Sequence, residues 1–173
     1  MDAPNLRIVV AGIAGSGKTT IGSELASRLG IRYVDGDSLH PPHNIHKMSA
    51  GIPLTDTDRW PWLGAVASEL HTDTGCVISC SALRRSYRDT LREPGAVQFI
   101  FLGITADTAL ERAMRRPDHF MPADLVESQL DTLEMPMPDE TDVMVISAES
   151  TVDSVIEAAL TALSADDTSA GDS

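Results

Sequence analysis

GIAGSGKT, at Gly12–Thr19, is the stretch of sequence that decides the fold of this chain. It matches the pattern G-x-x-x-x-G-K-[ST] of phosphate-binding loops without a gap. Residues 6–11, ahead of it, are apolar and β-branched, which is typical of a short buried strand. Behind it, Ile21 and Leu25 repeat at helical spacing, and Gly30 is typical of a helix end. A strand, a glycine loop and a helix in this order predict a site for a nucleoside triphosphate.

The residues of the loop predict particular contacts with that nucleotide. Backbone N–H groups of the loop and of the helix start converge on phosphate oxygens. The Lys18 ammonium reaches the β- and γ-phosphates, and the Thr19 hydroxyl can ligate Mg²⁺. The residues predicted to bind the nucleotide are Gly12, Ala14, Gly15, Ser16, Gly17, Lys18, Thr19 and Thr20.

Length and composition predict one ordinary globular domain. The chain has 173 residues, of which 42% are hydrophobic and 23% charged, enough for one core and too few for two. No apolar run approaches the roughly 20 residues of a membrane span, and no signal-peptide pattern is visible. We therefore expect a cytosolic protein that does not bind membranes. Cys76 and Cys80 lie about 13 Å apart along a predicted strand, too far for a disulfide.

The acidic residues are concentrated at the C-terminal end. The net charge is −13, but through Arg116 the chain carries 13 Lys and Arg against 12 Asp and Glu. Beyond Arg116 there are 14 acids and no Lys or Arg. Because no continuous basic face emerges, we do not expect nucleic-acid binding, whereas a small anionic ligand is compatible with this distribution.

Predicted strands and helices alternate along the chain. After the first strand, β-type apolar runs occur at 32–35, 77–80, 97–102 and 143–146. This alternation predicts an α/β fold, a three-layer sandwich with a five-stranded parallel sheet and helices on both faces. We predict one domain over residues 1–165 and an acidic disordered tail over residues 166–173.

Two carboxylates follow the second predicted strand. Asp35 and Asp37 lie at its carboxyl end, which is the edge where open α/β sheets bind ligands. Carboxylates this close suit two tasks: one orients Mg²⁺, and the other accepts a proton from an attacking hydroxyl. A solvated D-G-D turn is the structural alternative.

Residues 38–59 form a segment longer than typical loops, and such insertions are usually functional. We predict that this insertion binds the substrate. Lys47 and Arg59 are its candidates for contacting an anionic group, and His40 is its candidate for a hydrogen bond to the substrate.

The histidines and tryptophans of this region have alternative interpretations. His40, His43 and His46 could form a zinc site, but two prolines interrupt the helix that would align them. We expect Trp60 and Trp62 to pack within a helix rather than to stack on a sugar.

A mobile lid is predicted at about residues 115–123. Arg115 and Arg116 lie directly before Pro117, which stops the preceding helix. Phosphoryl transfer needs cations that follow the charge onto the leaving phosphate, and arginines on a lid can close over the nucleotide. The alternative is a solvated helix face with local pairs such as Glu111–Arg115.

Five stretches beyond the glycine loop carry a family resemblance. They are D-G-D-x-L-H-P at 35–41, N-I-x-K-M at 44–48, G-x-P-L-x-D-x-D-R-x-P-W-L at 51–63, C-S-A-L-R-x-x-Y-R-D-x-L-R at 80–92, and H-F-M-P with S-Q-x-x-T-L-E-x-P at 119–136. With these motifs the chain resembles the gluconokinase family, small P-loop carbohydrate kinases related to shikimate kinase. The resemblance implies a P-loop kinase fold, ATP and Mg²⁺ as cofactors, and a homodimer. It also implies phosphorylation of D-gluconate to 6-phospho-D-gluconate, which feeds the pentose phosphate pathway.

The resemblance also implies roles for single residues. Asp35 would orient the metal, and Asp37 would contact the reacting hydroxyl as the catalytic carboxylate beside Lys18. Arg59 would meet the substrate carboxylate, and Arg115 or Arg116 would act as the catalytic arginine of the lid. The other residues expected to bind the substrate are His40, Lys47, Arg84, Arg88 and His119.

Other functions remain open at this point. Shikimate kinase shares the core, but its glycine triplet after the third strand is replaced here by S-A-L-R at 81–84. A nucleoside monophosphate kinase is a second alternative. A P-loop regulatory protein that hydrolyses little ATP belongs to a different class, although the residues that transfer requires are present: Lys18, Thr19, Asp35 and Asp37.

Overall fold

The computed structural model describes residues 5–72, 74–115 and 123–169, and the backbone alone for 123–125 and 167–169. The strands in these ranges are β1 (Arg7–Ala11), β2 (Arg32–Asp35), β3 (Cys76–Ser79), β4 (Gln98–Gly103) and β5 (Val143–Ser147). The helices are α1 (Lys18–Leu29), α2 (Pro42–Ser49), α3 (Asp56–Leu70), α4 (Arg85–Arg92), α5 (Ala106–Met114), α6 (Ala123–Thr132) and α7 (Val152–Ser169). Among these helices, none has both the length and the apolar composition required to span a bilayer.

The five strands form one parallel sheet in the order β2-β3-β1-β4-β5. Val9 of the central strand pairs with Ile78 on one side and with Phe99 on the other. β1 lies between β3 and β4, and the chain crosses from one side of β1 to the other between these two strands. The loop after β1 therefore lies at the switch point where such sheets bind ligands. The predicted five-stranded parallel sheet is confirmed.

Helices cover both faces of the sheet. On one face, Val9 packs in a cluster with Leu63 of α3 and Leu91 of α4. On the other face, Ile8 and Val10 pack against α1 and α7. Alternate residues of β1 therefore point into two separate cores, and the strand is apolar throughout because both of its faces are buried. The predicted three-layer sandwich is confirmed.

The C-terminal end corrects one prediction. Helix α7 continues to Ser169, so residues 166–169 are helical and not part of a disordered tail. Gln98 Nε2 donates a hydrogen bond of 2.9 Å to Asp166 Oδ2, which anchors the last turns of the helix to β4. Residues 170–173 lie outside the described ranges.

Both cysteines are free thiols inside the protein, as their spacing predicted. Burial raises the pKa of Cys76, and it raises the pKa of Cys80 to about 12. Because the thiolate is the reactive form, both side chains behave as core residues.

Candidate active site

The glycine loop lies between β1 and α1, and its backbone requires glycine. Gly15 and Gly17 have φ angles of 85° and 94°, in the left-handed region that side chains rarely adopt. A Cβ on Gly15 would also lie 2.8 Å from the carbonyl oxygen of Ala109. The loop therefore packs against α5 with no room for a side chain at this position.

Hydrogen bonds within the loop and from α6 fix the conformation of the loop. Lys18 Nζ donates to the carbonyl oxygen of Ile13 over 3.1 Å. The backbone N–H of Ala14 donates to Gln129 Oε1 of α6 over 2.7 Å. The Ser16 Oγ is buried and has no hydrogen-bond partner within the described ranges. A buried polar atom of this kind suits a ligand that brings its own oxygen atoms.

A pocket opens beside the loop, at the carboxyl ends of β1, β2 and β3. Its walls come from the loop, the start of α1, the insertion and α6. The side chains in its lining include those of Lys18, Thr19, Asp37, His40, Arg59 and Trp62. The tertiary structure thus brings Lys18, which is predicted to bind phosphate, and three predicted substrate-binding residues into one pocket.

The two aspartates occupy different positions at this edge. Asp37 lines the pocket from a 3₁₀ turn, Gly36–Leu39. Asp35 ends β2, where its Oδ1 accepts a hydrogen bond of 3.0 Å from the Asp37 backbone N–H. Ser79 Oγ lies 3.4 Å from the same oxygen. Asp35 therefore caps the turn that carries Asp37 while it stands next to the end of β3.

Gly36 allows this turn to pass close to the neighbouring strand. A Cβ at Gly36 would lie 2.1 Å from the carbonyl oxygen of Ser79, a distance at which the backbone must move. We expect Gly36→Ala to destabilise the fold by about 1–3 kcal/mol, as overpacking does, and to lower turnover because it displaces both aspartates. Thermal unfolding and a kinase assay measure the two effects.

Gly64 provides the matched control for this substitution. It lies within α3, and a Cβ there would meet nothing within 4 Å. Gly64→Ala should stabilise the helix by about 0.5–1 kcal/mol. Equal stability of the two alanine variants would contradict the close approach at Gly36.

His40 is a buried, neutral side chain in the pocket wall. Its side chain is 3% exposed, and the ring stacks on Trp62 with the centroids 4.1 Å apart. Burial and, to a smaller extent, the charge of Arg59 lower the pKa of His40 to about 4, against the opposing effect of Asp35. Trp62 donates from Nε1 to the Gly36 carbonyl oxygen over 2.8 Å. Trp62 packs within the core as predicted, but its indole also supports the histidine and lines the pocket.

Arg59 is held towards the pocket by its neighbours. Its Nη1 donates to the Tyr87 hydroxyl over 3.0 Å and lies 3.6 Å from Asp56 Oδ1. The guanidinium also lies 5.4 Å from the Tyr87 ring centre. Tyr87 in turn donates a hydrogen bond to Asp56. Sequence reasoning missed Tyr87 and Asp56, although both lie inside motifs that carried the family resemblance.

Arg88 corrects a prediction, because it does not reach the pocket. Its side chain is fully buried, and its Nε and Nη2 donate to Glu140 over 2.8 and 2.9 Å. Its Nη1 donates to the carbonyl oxygen of Ala82, a residue with a φ angle of 43°. Arg88 therefore holds the strained turn after β3 and joins it to the segment before β5. The predicted role of Arg88 in substrate binding is wrong.

Lys47 and Arg84 are also paired outside the pocket lining. Lys47 Nζ lies 2.7 Å from Asp58 Oδ2 in an ion pair, together with His43 at 3.2 Å from Oδ1. Arg84 Nη1 lies 3.5 Å from Asp56 Oδ2. Lys47 is therefore paired with an aspartate of the insertion. Arg84 contacts Asp56, which also lies next to Arg59.

The predicted lid is described only at its two ends. Arg115 is largely exposed and pairs with Glu111, as in the alternative of a solvated helix face with local ion pairs. Arg116 and His119 lie outside the described residues, and so does most of segment 115–123.

A cleft on the other side of the glycine loop contains Arg112, which the sequence places on one helix face with Arg115 and Arg116 but which was not predicted as a site residue. Arg112 donates to the carbonyl oxygens of Gly15, over 3.3 Å, and of Ala148, over 2.8 Å. The cleft also contains Thr20 and Arg115.

Thr19 and Asp35, the residues predicted to hold a magnesium ion, lie close together at the sheet edge. Thr19 is exposed, and its hydroxyl and the Asp35 carboxylate both lie near the hydroxyl of the partly buried Tyr33. Burial raises the pKa of Tyr33, the Asp35 charge raises it further, and the hydrogen bond with Thr19 opposes them. Hydroxyl and carboxylate oxygens suit Mg²⁺, which takes one or two protein ligands beside substrate phosphates. In the described ranges, no three His, Cys, Asp or Glu side chains form a group that could hold a metal, and His40 and His43 have separate partners.

Comparison with known proteins gives these features a family. The family model described as "Shikimate kinase" matches residues 14–164. A probable gluconokinase of Schizosaccharomyces pombe is 50% identical over 153 residues, which cover 82% of this chain and 79% of the relative. The gluconokinase of Gluconobacter oxydans is 44% identical, with 92% of each chain covered. The chain belongs to the gluconokinase family.

Solved structures agree with this membership. The crystal structure of a gluconokinase from Sinorhizobium meliloti 1021 has a TM-score of 0.85 and 44% identity, covering 95% of this chain and 94% of that one. Shikimate kinase from Acinetobacter baumannii has a TM-score of 0.61 at 19% identity, a likeness that shows the fold alone. The P-loop kinase fold and the gluconokinase resemblance are confirmed, and the shikimate kinase alternative is not favoured. As a gluconokinase-family member, the chain is an ATP-dependent kinase with an alcohol group as acceptor.

Proposed function

We propose that this member of the gluconokinase family transfers the γ-phosphoryl group of ATP to D-gluconate and forms 6-phospho-D-gluconate. The observation that carries the proposal is the convergence of Asp37, His40 and Arg59 on the pocket of Lys18. A polyhydroxy acid offers hydroxyls to a carboxylate and to an imidazole, and it offers a carboxylate to a guanidinium. The pocket therefore contains a complementary group for each part of this substrate.

ATP and Mg²⁺ are assigned to the loop side of the pocket. The loop N–H groups and Lys18 would hold the β- and γ-phosphates, and the cleft beside Arg112 would receive the nucleoside. Thr19 and Asp35 would hold the magnesium ion, directly or through its water. When bound, the ion neutralises charge on the phosphate oxygens.

The residues around the acceptor supply positioning and proton transfer. Asp37 accepts the proton of the attacking hydroxyl, and Arg59 binds the substrate carboxylate with the geometry that Tyr87 imposes. Arg115 or Arg116 is proposed to meet the transferring phosphoryl group, and His119 to contact the substrate when the lid closes. Arg84 would help to position Arg59 indirectly, because both arginines contact Asp56.

A substrate panel tests the proposal. With Mg²⁺ATP, gluconate should stimulate ADP release, whereas shikimate, AMP and glucose should not. The reason is that shikimate lacks the open polyol chain, AMP carries a phosphate and glucose lacks the carboxylate that Arg59 would bind. Coupled detection of ADP measures the four rates under identical conditions. Equal rates with all four compounds, or none with gluconate, would overturn the substrate assignment.

We further propose a homodimer in the cytosol, as the family resemblance implied. Light scattering coupled to size-exclusion chromatography gives the mass in solution. A mass of one 18.5 kDa chain would contradict the dimer.

A further inference from the structure

Asn44 joins the insertion to the pocket histidine. The residue lies on α2 and is 1% exposed. Its Nδ2 lies 2.9 Å from the carbonyl oxygen of Asp58 and 3.1 Å from Nδ1 of His40. One amide nitrogen thus faces two different groups, and it has two hydrogens with which to do so.

The Asp58 carbonyl determines which way this amide points. A carbonyl oxygen only accepts hydrogen bonds, so the Asn44 nitrogen, and not its oxygen, must face it. The second hydrogen of that nitrogen is then directed at His40 Nδ1, which must be the acceptor. In a neutral imidazole the proton consequently resides on Nε2.

The backbone of Asp58, whose carbonyl orients Asn44, is held in place by further hydrogen bonds. Asp58 N–H donates to Thr55 Oγ1 over 3.2 Å, and Thr55 N–H donates to Asp58 Oδ2 over 2.9 Å, forming a capping box at the start of α3. Lys47 Nζ binds the same Oδ2 over 2.7 Å. The ion pair that removes Lys47 from the pocket therefore helps to hold the backbone that orients Asn44.

The protonated Nε2 points towards the catalytic carboxylate. It lies 3.9 Å from Asp37 Oδ1, which is beyond a hydrogen bond, and in the described residues no acceptor bonds to it. A single hydroxyl oxygen fits across this gap at ordinary distances, accepting from His40 and donating to Asp37. Stacking on Trp62 keeps the ring in this orientation.

We propose that Asn44 is a positioning residue that fixes His40 as the Nε2–H tautomer, so that His40 donates a hydrogen bond to the substrate hydroxyl held by Asp37. The statement about the substrate depends on the proposed function, whereas the tautomer does not. With a pKa of about 4, His40 stays neutral at the pH of an ordinary assay.

The tautomer can be measured without any substrate. Two-bond ¹H–¹⁵N correlation spectra of histidine-labelled protein at pH 7 distinguish the two neutral forms, and His40→Gln identifies the His40 signals. We expect the Nε2–H pattern in the wild type and the Nδ1–H pattern in Asn44→Asp, because the carboxylate accepts a hydrogen bond where the amide donated one. An Nδ1–H pattern in the wild type would overturn the proposal.

Two substitutions of the histidine test its role towards the substrate. In His40→Gln the amide nitrogen can occupy the place of Nε2, whereas in His40→Asn it can reach only the place of Nδ1. We expect kcat/KM for gluconate to fall about tenfold further in His40→Asn than in His40→Gln, the loss of one hydrogen bond, with KM for ATP unchanged.

His46→Gln is the matched control, because His46 is an exposed histidine on α2, the helix that carries Asn44. Its kinetics should equal those of the wild type. Equal losses in His40→Gln and His40→Asn would overturn the hydrogen bond to the substrate. If gluconate is not phosphorylated at all, the proposed function fails, while the spectra still decide the tautomer.

Discussion

Asp37→Asn is expected to lower kcat for gluconate phosphorylation by about 10² or more, the usual contribution of a general base. The amide keeps the shape of the side chain and its place in the pocket wall, but it cannot accept the proton of the attacking hydroxyl. KM for ATP should change little, because the nucleotide is assigned to the loop around Lys18. Steady-state kinetics with each substrate varied in turn measure both effects.

The control for Asp37→Asn is the same change at an exposed site. Asp89 lies on α4 and pairs with Arg92 at the surface, so Asp89→Asn should leave turnover unchanged. A retained kcat in Asp37→Asn would contradict the proton-accepting role and would leave positioning and cations as the source of catalysis. A parallel rise in KM for ATP would instead show that the substitution disturbs the loop.

Glu140→Gln is expected to destabilise the protein by about 3–5 kcal/mol, the cost of removing one partner from a buried ion pair. The Glu140 side chain is 1% exposed, and its carboxylate accepts two hydrogen bonds from the fully buried Arg88. Arg92 Nη2 donates a third over 2.9 Å. The neutral amide would leave the Arg88 guanidinium charged and buried without its counter-ion. Urea unfolding measures the free energy, and the melting temperature should fall by about 10 °C or more.

The pH dependence distinguishes this pair from a packing defect. Hydrogen bonds from Arg88 lower the pKa of Glu140 from an ordinary 4.5 to about 2 in the folded protein, against the effect of burial. A depressed carboxyl pKa contributes stability that is complete above the unfolded value and is lost as pH falls towards the folded value. The difference in unfolding free energy between wild type and Glu140→Gln should therefore be constant above about pH 5 and shrink between about pH 4.5 and 2.

Asp139→Asn is the matched control for the ion pair. Asp139 bonds Arg85 in an exposed pair, with side chains 62% and 45% accessible. Exposed pairs contribute little, so the change should cost less than about 1 kcal/mol. A loss as large as that of Glu140→Gln would contradict the special role of burial.

Local patterns in the sequence were sufficient to predict the fold and several of the residues that line the pocket. The glycine loop, the apolar strands and the aspartates at the end of β2 are short-range signals, since strand ends in a parallel sheet meet at one edge. Asp37, His40 and Arg59 were selected in this way, and the structure brings them into one pocket with Lys18. Their roles in the reaction stay predictions until they are measured.

Long-range pairing decided which of the charged residues reach the pocket. Arg88 and Glu140 are 52 positions apart in the sequence, and nothing local distinguishes Arg88 from a solvated arginine of the same helix. Lys47 was predicted to contact an anionic substrate, but the fold places Asp58 within 2.7 Å of it. In both cases the cation binds a carboxylate of the protein and not the anionic substrate that it was predicted to bind.

The sequence by itself determined the class of the protein, because a phosphate-binding loop and a parallel sheet are encoded in residues that are neighbours along the chain. It also determined the family, through motifs that span most of its length. Only the tertiary structure decided how the single side chains are used: that Tyr87 holds Arg59, that Asn44 orients His40, and that Arg88 is buried. The physical reason is that burial and hydrogen-bond partners depend on which distant segments meet, and these set the charge and direction of each group.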